Sequence, residues 1–209
     1  MDLVDPRIEA YAEQLTSPHD PLLAEVSQST ADQHLGPLSM LTGPVAGRLL
    51  EILIWAAQPK RVLEIGTFSG HSALAMAAGL PEGGRIDTCE LDPLRAAAAR
   101  QFFDRSPYAG KITLHVGPAL ETIASLEGEF DFVFIDADKG GYIDYYEAVV
   151  PRLSPRGLIA VDNTLADGRV LTRPDDPEVR FNVHVAADPR TEQVLLTVRD
   201  GITLIRLAG

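Results

Sequence analysis

Apolar and polar positions follow two rhythms along this chain, and the change falls near residue 60. Before it, apolar residues recur at helical spacing. Asp5-Pro6 and Asp20-Pro21 each set an N-cap acid before a proline at the first helical position, which predicts surface helices over about 6–15 and 21–35. Met40-Leu41-Thr42-Gly43-Pro44 reads as a turn. The helix that follows, about 44–57, gathers Val45, Leu49, Leu50, Ile52, Leu53 and Ile54 on one broad face.

Beyond residue 60, short apolar runs alternate with helical stretches. Strands are predicted at 61–66, 85–90, 112–116, 132–135 and 158–161, with helices at 71–79, 93–103, 118–126 and 142–153 between them. The segment 163–188 reads as a loop followed by a helix from about Pro177. Two final strands, 191–199 and 202–207, flank the hairpin dipeptide Asp200-Gly201. This order implies an α/β, Rossmann-like architecture. Its sheet is mostly parallel, ends in a C-terminal antiparallel hairpin and carries helices on both faces. Residues 1–209 read as a single domain, with 1–38 as an N-terminal helical appendage and 39–209 as the core.

Composition adds constraints. Apolar residues make up 45% and charged residues 23%, as in a globular domain. The net charge of −12 repels phosphate backbones, and no Lys/Arg cluster offsets it, so nucleic acid is not an expected partner. No apolar run reads as a bilayer span, and Met1–Asp5 lacks the basic start of a signal peptide. A lone cysteine, Cys89, cannot form an internal disulfide, so the expected setting is cytoplasmic.

The chemistry gathers at strand ends. Phe132-Val133-Phe134-Ile135 runs straight into Asp136-Ala137-Asp138-Lys139. Glu64, Glu90 and Asp162 likewise close apolar strands. In an open parallel sheet, ligands bind beyond these carboxyl ends. Four acids on one such edge repel each other unless a ligand compensates them. The turn Gly66-Thr67-Phe68-Ser69-Gly70 lets a ligand approach the backbone at a helix start. Glu90 follows Gly70 at roughly the 20-residue distance of a ribose-binding acid. The turn is not G-x-G-x-x-G, and Glu64 before it would repel a pyrophosphate. An ammonium or sulfonium would be welcome there, which favours S-adenosylmethionine over a dinucleotide.

Asp136, Asp162 and Asn163 offer only oxygen donors. Such a set suits Mg²⁺, with Ca²⁺ or Mn²⁺ also compatible; capping of the following loop is the alternative role for Asp162 and Asn163. Lys139, three residues past Asp136, could serve as a general base or lie solvated. The five histidines show no ligand spacing, and His115 falls mid-strand. Cys89, Trp55 and Phe68 read as packing residues.

In these motifs the chain resembles the cation-dependent class I O-methyltransferases of the caffeoyl-CoA and catechol type. The matching stretches are Met40-Leu41-Thr42, Val62–Ser72, Glu90-Leu91-Asp92, Gly117-Pro118-Ala119, Phe134–Lys139, Val161–Leu165 and Val198–Leu204. The resemblance implies a seven-stranded methyltransferase fold, a homodimer, and methyl transfer to a hydroxyl of a catechol-like small molecule. It implies cofactor contacts from Met40, Thr42, Glu64, Gly66, Thr67, Ser72, Glu90, Ala119, Asp136, Asp138 and Tyr145. Asp136, Asp162 and Asn163 match the metal ligands, and Lys139, beside Asp136, matches the lysine proposed as base. Ala166 stands where the plant enzymes place a tryptophan, and the N-terminal extension is shorter; both departures count against a CoA thioester acceptor. Ala46 replaces a frequent glutamate. Another oxygen or nitrogen acceptor is the first alternative, and a dinucleotide-dependent oxidoreductase a remote one.

Overall fold

A computed structural model describes residues 3–209. Helices α1 (Pro6–Leu15) and α2 (Pro21–Asp32) start as the Asp-Pro pairs require. Asp5 accepts from the Arg7 backbone N–H and Asp20 from that of Leu22. α1 buries no side chain, whereas α2 buries Leu23 and Val26. α3 (Gly43–Ala57) packs along α4 (His71–Gly79).

The stretch Leu38–Ala57 has the length and mean hydropathy (1.3) of a membrane span, contrary to the sequence expectation. In the fold it is divided into a short 3-10 turn, Leu38–Met40, and α3, whose inner face is buried at Ala46, Leu50 and Ile54.

The sheet has seven strands: β1 (Arg61–Ile65), β2 (Arg85–Glu90), β3 (Ile112–Val116), β4 (Phe130–Ile135), β5 (Leu153–Asp162), β6 (Thr191–Leu196) and β7 (Ile202–Leu207). Their spatial order is β3-β2-β1-β4-β5-β7-β6. β7 runs antiparallel between β5 and β6; the β1–β5 pairs are parallel. Side chains alternate across the sheet. Leu63, Ile65, Val133, Ile135, Ile159 and Val161 join one core with α6 (Ala119–Ser125), α7 (Tyr142–Val149) and α8 (Pro177–Ala187). Val62, Phe132, Phe134 and Ala160 face the other way, onto α3 and α4. α2 and α5 (Pro93–Arg105) complete that second layer around Leu74, Phe102 and Phe103.

Besides α2, which ends at Asp32 rather than 35, and β4, which begins at Phe130, three elements differ from the sequence expectation for a local reason. α7 stops at Val149 rather than reaching Leu153, because Pro151 has no N–H to continue the ladder. β5 is correspondingly longer, and the register shift between Phe130 and Phe132 gives Pro155 a place within it. β6 ends at Leu196, not Arg199. The chain turns there, with Gly201 N–H donating to Val198 O and Arg199 at φ 50°.

Candidate active site

The order of the strands reverses between β1 and β4, which places a crevice above their carboxyl ends. A cavity of about 870 Å³ lies there. Its wall includes Met40, Gly66, Glu90, Ala119, Asp136, Asp138, Lys139, Tyr145, Asp162 and Asn163. All four acids anticipated at strand ends belong to this region, but Glu64 sits beneath the wall, fully buried. Thr42, Thr67 and Ser72 are buried as well and lie outside the lining.

Glu64 is held from two sides. Ser72 Oγ donates to Oε1 at 2.6 Å and Thr88 Oγ1 donates to Oε2 at 2.5 Å. Thr67 Oγ1 in turn meets Thr88 Oγ1 at 2.5 Å, so Thr67 props the threonine that holds the acid. Burial pushes the Glu64 carboxyl up to about 8 against the pull of both hydroxyls; Asp136 and Glu90 push the same way. Below that pH the group is a neutral acid that a cation would ionise.

Gly66 is the hinge of the floor. Its φ is +102°, and a Cβ would lie 2.1 Å from the Asp136 carbonyl oxygen. Only glycine lets the β1 and β4 ends run this close. Glu90 Oε2 accepts from Phe68 N–H at 2.6 Å and Oε1 from Asp92 N–H at 2.9 Å, which fixes the carboxylate at the cavity edge with lone pairs to spare. Phe68, expected to be a packing residue, instead lines the cavity at φ 52°, under the Arg95 guanidinium at 5.1 Å. Trp55 does not pack within this chain either: it is 68% exposed on α3. Cys89 is buried as expected, and burial pushes its thiol up to about 12. His115 lies on the sheet face and bonds Asp87 Oδ1 at 2.9 Å.

At the far end of the floor, Lys139 Nζ donates to Asp136 Oδ1 at 2.9 Å and to Asn163 Oδ1 at 2.7 Å. Two oxygen donors from different strand ends therefore already converge on one positive charge. Asp162 completes the set. Its carboxyl accepts from Asn163 N–H, and burial, then Asp136, pushes it up to about 7. Among the described residues no group of three His, Cys, Asp or Glu side chains forms a ready metal cluster. The two aspartates with Asn163 are instead a hard, oxygen-only set whose acids repel each other without a cation, and they fit Mg²⁺ chemistry.

Tyr142 was not singled out by its sequence position, yet it orients the lysine. Its hydroxyl accepts from Lys139 Nζ at 2.5 Å and donates to Asp162 O at 2.9 Å. The i, i+3 spacing from Lys139 on a helix start was the available signal. Asp138 Oδ1 accepts from Tyr145 O–H at 2.5 Å, tying two anticipated residues together. Thr88, Arg169, Arg199 and Asp200 also belong to the site or its support; Arg199 and Asp200 fall in the matching stretch Val198–Leu204 without a site role being read for them, and nothing in their local sequence marked Thr88 or Arg169.

The O-methyltransferase family model matches residues 13–208, nearly the whole chain. The chain belongs to the O-methyltransferase family. It is 37% identical to caffeoyl-CoA O-methyltransferase 1 of Eucalyptus globulus, over 80% of this chain and 74% of that protein. It is 32% identical to a catechol O-methyltransferase of Niastella koreensis, over 90% of this chain and 89% of that one. The S-adenosylhomocysteine-bound methyltransferase of Podospora anserina superposes with a TM-score of 0.89 at 32% identity, covering 98% of this chain and 95% of that chain. The enzyme is thus an O-methyltransferase of the caffeoyl-CoA and catechol class. The seven-stranded mixed sheet is that of S-adenosylmethionine-dependent methyltransferases.

Proposed function

We propose that this O-methyltransferase moves the methyl group of S-adenosylmethionine to one hydroxyl of a vicinal dihydroxy aromatic, with a divalent cation, Mg²⁺ foremost, as second cofactor. The convergence of Asp136, Asp162 and Asn163 beside Lys139 carries this reading. These three side chains would hold the cation. Once bound, such an ion stabilises the anion of a chelated hydroxyl. S-adenosylmethionine supplies an electrophilic methyl on a positively charged sulfur.

The protein's own groups do the rest. Glu64 takes the cofactor's ammonium and ionises as it does so, with Ser72 and Thr88 holding its oxygens in place. Met40, Gly66 and Asp136 would surround the same end, with Thr42 and Thr67 behind the wall. Glu90, held by Phe68 N–H, would accept from the ribose hydroxyls, the Ala119 backbone would lie beside the adenine, and Asp138, bonded to Tyr145, would close that side. With a cation held beside Asp136 the amine of Lys139 would be favoured in its neutral form, and that amine, oriented by Tyr142, would take the proton of the reacting hydroxyl. Charge disperses as phenolate meets sulfonium, so alignment in a site shielded from water helps more than added charges would.

The reading extends to a homodimer, because α3 leaves Ile52 and Trp55 exposed on a face that a second copy would cover. Light scattering of the purified protein checks that point. Turnover of a panel of catechols, hydroxycinnamates and polyphenols with labelled S-adenosylmethionine tests the main proposal. Activity on the vicinal diols, lost with EDTA and restored by Mg²⁺, is the expected result.

A further inference from the structure

Four cationic side chains line the cavity: Arg95, Lys139, Arg169 and Arg199. Three of them have carboxylate partners. Arg95 lies 3.9 Å from Asp92, Lys139 lies 2.9 Å from Asp136, and Arg169 contacts Asp167, Asp176 and Glu178. Among the described residues, Arg199 has no carboxylate within ion-pairing distance. Its Nη1 donates to the carbonyls of Leu41 and Thr42, while Nε and Nη2 make no bond among the described residues. The guanidinium is therefore pinned along one edge and open along the other.

Its place in the fold puts Arg199 on the side of Asp162 and Asn163. Arg199 stands three residues before Ile202, which pairs with Asp162 across β5 and β7. The intervening turn is tied to the segment after Asn163: Thr164 N–H donates to Gly201 O at 3.1 Å and Leu165 N–H to Asp200 O at 2.8 Å. The backbone at Arg199 is left-handed, φ 50°, a conformation that glycine adopts freely and arginine does not. A long cationic side chain is thus kept at a position where its backbone is unfavourable.

The rest of the wall is hostile to anions. Glu90, Asp136, Asp138, Asp162, Asp167, Glu178 and Asp200 all line it. A ligand bringing a negative group needs a cation not already committed, and Arg199 is the one the wall provides. We infer that Arg199 selects the acceptor, taking a carboxylate on the aromatic ring or its side chain while the vicinal hydroxyls face Asp136, Asp162 and Asn163. The acceptor class is therefore an anionic, carboxylate-bearing catechol. The inference rests on the catechol reading above, and the carboxylate of the cofactor's methionine end is the competing source of the same chemistry.

The test compares 3,4-dihydroxycinnamate with its methyl ester, which keeps the ring and removes the charge. The acid is expected to exceed the ester in kcat/KM by about tenfold in the wild-type enzyme with Mg²⁺ and S-adenosylmethionine. Arg199→Gln should bring that ratio close to one, and Arg199→Lys, which keeps a charge and is the safer variant for folding, should retain part of it. Calorimetry of non-reactive 3,4-dimethoxycinnamate and its methyl ester, with S-adenosylhomocysteine present, measures the same preference without turnover. It speaks for or against the anchor even where the catechols are not methylated. Equal binding of acid and ester to the wild-type protein overturns the proposal. So does a loss of S-adenosylhomocysteine affinity in Arg199→Gln with the acid-to-ester ratio unchanged, which would reassign the guanidinium to the cofactor.

Discussion

Ser72, in the first turn of α4, donates its hydroxyl to Glu64 at the end of β1 across 2.6 Å. This bond, with that of Thr88, holds a fully buried acid in a place where it stays neutral up to about 8. In the unfolded chain the same group ionises near its ordinary 4.5. Below 4.5 it costs the fold nothing. As pH rises from 4.5 towards 8 the unfolded state loses its proton first, so stability of the ligand-free protein falls over that window. A cationic ligand reverses the preference. Affinity for S-adenosylhomocysteine should therefore rise with pH up to about 8, and binding near neutral pH should release a proton. Calorimetry in buffers of different ionisation enthalpy reads both effects. Glu64→Gln should abolish the release at this group and weaken binding by about tenfold or more, the worth of a charged hydrogen bond.

Asp136→Ala and Asp162→Ala should each abolish cation-dependent turnover. Full activity in EDTA would sink the metal reading. Asp162→Asn separates function from stability. Burial and Asp136 hold this carboxyl near 7, so a neutral amide relieves repulsion in the ligand-free protein. The variant should gain on the order of 1 kcal/mol, or ~2–4 °C in Tm at this chain length, while losing activity. A thermal melt without metal, beside an assay with it, checks both halves.

Lys139→Ala should lower turnover near neutral pH by about 10²-fold or more, the usual share of a positioned base. The deficit should shrink as pH rises and the acceptor hydroxyl ionises unaided. A parallel pH profile for variant and wild type would remove Lys139 from the role. Tyr142→Phe removes the hydroxyl that the ammonium meets at 2.5 Å and should reproduce part of the loss.

Gly66→Ala should damage fold and site together. The new Cβ would meet the Asp136 carbonyl oxygen at 2.1 Å in a backbone already at φ +102°. Relief requires β1 and β4 to part at the point where Asp136 leaves the sheet. A stability loss of about 1–3 kcal/mol is expected in denaturant titration, with turnover reduced further than the folded fraction explains.

The frame of this site was legible because it is local. An apolar run that ends on an acid reads as a strand delivering charge, and β1, β2, β4 and β5 all do so. What escaped was placed by long-range packing. Thr88 looks like one more β-strand threonine until β2 pairs with β1 and sets it opposite Glu64. Arg199 looks like part of a hairpin strand until the turn at Gly201 brings it over Leu41 and Thr42. Phe68 looks like core because aromatics usually are. It is turned out by a left-handed backbone, as are Asn163, Asp167 and Arg199 around the same cavity. Such conformations gather where geometry serves a ligand rather than the core. Proline did the opposite: Pro151 ends α7 for a reason visible in the sequence, although the apolar pattern continues through it to Leu153.

The antiparallel strand β7 gives the enzyme a temporal property. A ribosome delivers β1 to β5 first, and with them both aspartates, Asn163 and Lys139. The wedge that pairs Ile202 with Asp162 and ties down Thr164 and Leu165 follows them in the chain. Until then β5 presents a bare hydrogen-bonding edge and Arg199 is not yet held over Leu41 and Thr42. Until β7 pairs, the oxygen donors at the ends of β4 and β5 are in the chain but the segment after Asn163 is untethered, so β7 serves as the clamp on one side of the site.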